Sequence, residues 1–165
     1  MILNNMDVVF TFIVIAIALF VAAFITKRRF GLLGLALATG SLLSGIWGFE
    51  AGLVASFFGL PTRSYTTAGV LSIVVLLPAI VLLFHGNTYK TMIGRVIGAC
   101  LFALLAIAFL IEPLSQILIP QGLGTDVYWW LTNNRDMIIG VGLITAVVDI
   151  FLTKPTHHSN KRHGH

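Results

Sequence analysis

VVFTFIVIAIALFVAAFITKRR, residues 8–29, decides the fold class. Residues 8–26 carry no charge, and KRR closes the run. An α-helix rises 1.5 Å per residue, so about 20 mostly apolar residues cross about 30 Å of hydrocarbon. The preceding MILNNMD has no basic residue, the reverse of a secretory leader, so the run is expected to persist as a span. The rest of the chain agrees. Of its 165 residues 58% are hydrophobic and 10% charged, against about 25% charged in soluble domains. A water-soluble fold of this size has too much surface to charge so little of it, so lipid is the solvent.

Five spans are expected: 8–26, 30–60, 68–84, 92–114 and 137–152. The second is too long for one straight crossing, leaving tilt, a kink or re-entry open. Alternating the spans puts Lys27, Arg28, Arg29, Lys90, Arg95, Lys154, Lys161 and Arg162 on one side and only Arg63 and Arg135 on the other. The positive-inside bias then places the N-terminus outside and the C-terminus in the cytoplasm. The expectation is an all-α polytopic bundle, residues 1–153 forming one transmembrane domain and 154–165 a basic, His-rich, disordered tail. The same bias accounts for the formal charge of +4, so nucleic acid is not an expected partner.

SLLSGIWGFEAGLVASFF, residues 41–58, places a single glutamate in an apolar run. Glu50 lies 21 residues beyond Arg29, about 31 Å along a straight helix and close to the full hydrocarbon thickness. A carboxylate at the headgroups costs little, whereas tilt or re-entry would draw it deeper and make it a candidate functional group. Ser44, Gly48, Gly52 and Ser56 recur every four residues, a small-residue stripe for close packing on a neighbouring helix or a second subunit. In a continuous helix Glu50 would project almost opposite that stripe.

Glu112 lies 17 residues beyond Arg95, about 25 Å, and so shares the outer side with Glu50, Arg63 and Arg135. These four are either an ion-paired cluster, a candidate proton or cation site, or separately solvated interfacial charges. Asp149 is the fifth candidate, near the cytoplasmic end of the last span, with Lys154 and residues 27–29 available as ion-pair partners. Tyr128, Trp129 and Trp130 are expected to anchor the outer loop at the membrane interface. Cys100 lies in an apolar run and is expected to pack. His157, His158, His163 and His165 lack a fixed ligand spacing, so neither metal nor cofactor is expected. No phosphate-binding loop, HExxH or GxSxG motif occurs, and enzymatic activity is not expected.

An aspartate opens the first span (MDVVFTFIVIAIALF), a basic-glycine turn follows (KRRFGLLG), and the fourth span begins TMIGRVIGACLFALLAIAFLIEPL. Over residues 6–118 this order resembles the colicin V production protein (CvpA) family of bacterial inner-membrane proteins. Gly94, Arg95 and Gly98 stand where that family has an Asp-Arg-x-x-Gly-x-x-x-Gly entry, without the acidic residue, and the fifth span goes beyond its four-span pattern. The resemblance implies a non-enzymatic role in envelope homeostasis or secretion, with membrane partners or as a homo-oligomer, and no catalytic residues. The rival expectation is a small transporter or channel subunit using the boundary carboxylates.

Overall fold

The computed structural model describes residues 8–48, 50–57, 59, 64–84, 89, 91–115 and 125–152. All regular structure among them is helical: α1 (Val8–Thr26), α2 (Phe30–Trp47), α3 (Ala51–Phe57), α4 (Ser64–Phe84), α5 (Met92–Ser115), α6 (Thr125–Asn133) and α7 (Arg135–Phe151). Phe30–Trp47, Thr66–Phe84 and Met92–Ser115 are long and apolar enough to cross a membrane; Phe10–Thr26 of α1 and the 17-residue α7 are shorter. Large apolar side chains such as Ile17, Leu42, Ile73, Ile93 and Ile144 cover the outside, where lipid rather than water suits them.

The long second segment is not one span. α2 ends at Trp47, Gly48 caps it, and the Glu50 N–H donates to the Trp47 carbonyl at 3.0 Å before the short α3 begins. Hydropathy misses this break because both sides are apolar. A helix stops through local backbone geometry, which hydropathy does not encode, and Gly48 itself keeps right-handed helical angles of φ −54° and ψ −36°.

α2 is the hub, packing on α4, α5 and α7, while α1 packs on α5 and α6. Two glycines allow backbone-to-backbone approach. A Cβ built on Gly40 would lie 2.1 Å from the Val75 carbonyl oxygen of α4, and one on Gly31 would lie 2.6 Å from the Ala146 carbonyl of α7. Such small-residue contacts associate helices in lipid, where apolar burial provides no driving force between them. Leu33, Leu37, Val75, Phe102, Leu105 and Leu110 fill the space between.

The anticipated stripe behaves differently. It straddles the α2–α3 break, and an added Cβ on Gly52 meets nothing within 4 Å while one on Gly48 meets only its own helix. On α2 the close contacts with other helices therefore belong to Gly31, Gly34 and Gly40. Gly94 and Gly98 do pack, against the Tyr89 ring.

Gly40→Ala should lower the unfolding free energy by about 1–3 kcal/mol through overpacking. Gly45→Ala, which faces open space, should be neutral or stabilising by up to about 1 kcal/mol. Thermal melts in one detergent compare the two.

Candidate functional site

Polar side chains gather at the two ends of the bundle. At the end that carries Lys27, Arg28, Arg29 and Arg95, they close helix termini. The first N–H groups of α2 have no helical acceptors. The Gly31 N–H donates to Asp149 Oδ2 at 2.9 Å, and the Phe30 N–H to the Tyr89 hydroxyl at 3.1 Å. That hydroxyl in turn donates to Asp149 Oδ2 at 3.2 Å. A carboxylate from α7 thus caps α2 and complements its dipole.

Cations close the opposite termini. Arg28 donates from Nε to Leu83 O at 2.9 Å and from Nη2 to Phe84 O at 2.6 Å, covering the last carbonyls of α4. Arg95 Nη2 donates to Phe24 O in the last turn of α1 at 3.1 Å. Between α1 and α2, Lys27 adopts φ 57°, a left-handed conformation that costs a residue with a side chain about 1–2 kcal/mol. The Tyr89 N–H donates to the Lys27 carbonyl at 2.8 Å and holds the turn.

Asp149 therefore serves α2. Its anticipated partner Lys154 lies outside the described residues. Tyr89 was missed from sequence, since nothing in HGNTYK marks one residue of that stretch as structural.

At the other end Arg135 pairs with Glu112 at 2.5 Å and donates from Nε to the Ala108 carbonyl at 3.1 Å. Of the four residues considered as a cluster, Arg135 and Glu112 form a pair among the described residues; Glu50 is exposed in the α2–α3 turn with no ion pair among them, and Arg63 lies outside them. Glu112 also borders a cavity of about 300 Å³ between α2, α4 and α5. Ser41, Ser44 and Thr67 give the cavity hydroxyls, and Gly45 and Gly48 leave it open. Phe109 lines it as well, and Pro113 removes the N–H that its carbonyl would accept in a regular helix. The walls therefore offer hydroxyls, which donate as well as accept, beside one carboxylate.

The aromatic trio divides. Tyr128 is buried against the ring of Phe12, 6.2 Å between centroids, while Trp129 and Trp130 are exposed. The histidine tail lies outside the described residues, and among those described no group of three or more His, Cys, Asp or Glu could hold a metal ion.

No protein-family model matches this chain, and no curated protein or solved structure matches it at a significant level. The site must be read from its own geometry.

Tyr89 lies between α4 and α5, outside the spans. Burial pushes its phenol above the ordinary value of 10.0, and the Asp149 charge and hydrogen bond add to the rise, opposed by Arg29 and the Phe30 N–H. A raised folded-state value favours the protonated phenol in the fold. The associated stability is present below about pH 10 and is lost as pH rises through the folded value. Tyr89→Phe should cost about 0.5–1.5 kcal/mol at neutral pH and flatten the alkaline fall, as read by melts across that range.

Proposed function

We propose that this is a non-enzymatic, five-span protein of the bacterial cytoplasmic membrane, N-terminus outside and C-terminus inside. Its outward-facing cavity binds a small cation or cationic solute for transport. The observation that carries the reading is the cavity wall: Ser41, Ser44 and Thr67 beside Glu112, in a bundle whose other described surfaces are mostly apolar. Hydroxyls and a carboxylate that converge on one open space in a mostly apolar bundle support a solute site. Arg135 holds the carboxylate in place and competes with an incoming cation for it.

The orientation is supported by the separation of charge. Among the described residues, Lys27, Arg28, Arg29 and Arg95 share one end with Asp149, whereas Glu50 and Glu112 share the other with Arg135. This polarity agrees with a cytoplasmic basic end.

A second reading, a packing partner in envelope homeostasis or secretion as the CvpA resemblance implies, is favoured by Gly52. An added Cβ there meets nothing within 4 Å, leaving room for a helix of another membrane protein or a second copy.

The transport reading is tested by thermal shift and proteoliposome flux with sodium, potassium, guanidinium and small alkylamines. At least one should stabilise the wild type and cross the membrane. Glu112→Gln should abolish both effects, and Arg135→Gln should tighten binding several-fold by releasing the carboxylate. If none of these cations shifts the wild-type melt or crosses the membrane, the reading fails.

A further inference from the structure

Two faces of α5 meet at Glu112. Toward α7, its Oε2 accepts from Arg135 Nη2, and the Ala108 carbonyl one turn earlier accepts from Arg135 Nε at 3.1 Å. A carboxylate and a main-chain carbonyl thus hold one guanidinium between them. Toward the cavity, α5 presents the same two kinds of group again. The second carboxylate oxygen, Oε1, has no partner among the described residues. The Phe109 carbonyl lacks its helical donor because residue 113 is proline, and Phe109, Glu112 and Pro113 all line the cavity.

The facing wall on α2 adds hydroxyls that the fold does not use. Elsewhere in the bundle such groups bond back to their own helix: Thr26 to Ala22, Thr39 to Leu35, Ser72 to Ala68 and Thr145 to Val141, at 2.8 to 2.9 Å. Ser41 and Ser44 line the cavity and make no hydrogen bond among the described residues. Leu71 and Val75 give the same space an apolar side.

We infer that the solute of this cavity is a small alkylguanidinium, an assignment that rests on the cation-site reading above. Carboxylate and carbonyl oxygens only accept, so they call for a solute that donates and carries positive charge. A guanidinium offers its donors in a planar fork that can reach a carboxylate and a carbonyl together, as Arg135 does on the other face of α5. It is also more weakly hydrated than an ammonium, so it loses less on leaving water for an apolar bundle. An ammonium has fewer donors to share among Glu112, the Phe109 carbonyl and the two serines. An alkali metal ion gains nothing from Leu71 and Val75, whereas a short alkyl group packs on them. Pro113 is then a specificity residue, because it keeps the Phe109 carbonyl out of the helical ladder and available to the solute.

The test is calorimetric titration of the purified protein in one detergent with methylguanidinium, methylammonium and sodium. Methylguanidinium should bind about ten-fold or more tighter than methylammonium, the worth of one hydrogen bond to a charged group, and sodium should bind more weakly than either. Pro113→Ala returns an N–H to the Phe109 carbonyl and should remove most of the methylguanidinium preference, with the unliganded melting temperature unchanged or raised. The double variant Ser41→Ala/Ser44→Ala should weaken methylguanidinium several-fold. Methylammonium or sodium binding as tightly as methylguanidinium overturns this assignment and leaves the cation-site reading standing; no binding by any of the three overturns both. A preference that survives Pro113→Ala and the serine double variant also overturns the assignment, and if Pro113→Ala does not fold, survival in the serine variant alone decides against it.

Discussion

The bundle depends on how closely the backbone of α2 can approach its neighbours. In lipid a helix has little to gain by burying leucine against leucine, so association relies on close van der Waals contact and on polar groups satisfied between helices. α2 uses both. Gly40 and Gly31 bring its backbone against α4 and α7, and its first N–H groups reach Asp149 and Tyr89. A bulkier residue at either glycine would push the helices apart; an unsatisfied terminus would leave polar backbone groups in a poor solvent.

The charged residues then acquire two roles at once. Residues that orient a membrane protein by their sign here also close helix ends. Arg28 covers the last carbonyls of α4, Arg95 reaches the last turn of α1, and Asp149 covers the first amides of α2. Each charge has the sign that the helix dipole favours at that terminus. At the other end α2, α4 and α5 part around the polar cavity. Glu112 stands at that opening as part of an ion pair, where a carboxylate can be exchanged between partners at modest cost.

The helices themselves were largely legible. α1 coincides with the residues 8–26 read from hydropathy, and α5 and α7 lie within two residues of expectation at each end. Apolar length sets those boundaries, and length is what a sequence displays. The α2–α3 break was not legible, because α2 ends at Trp47 with apolar sequence on both sides. The small-residue stripe does not form one continuous helical face for a related reason: its spacing presumes a helix that stops at Trp47. Gly31, Gly34 and Gly40 were equally visible, but composition cannot tell which glycine faces a neighbour. The pairing of Glu112 with Arg135 could be narrowed to a shared side and no further, since the separation of two spans at that side is a tertiary quantity. Tyr89 and Thr67 gave no signal, as each becomes a site component only when helices distant in sequence converge.

Tyr89 and Asp149 together build the cap that closes the first turn of α2. A double-mutant cycle measures this most directly, with unfolding free energies of the wild type, Tyr89→Phe, Asp149→Asn and the double variant in one detergent at neutral pH. The account predicts a coupling of about 1 kcal/mol or more between the two side chains. Effects that add to within about 0.3 kcal/mol would mean that they act independently, and the α2 terminus would not be the point on which the bundle is organised.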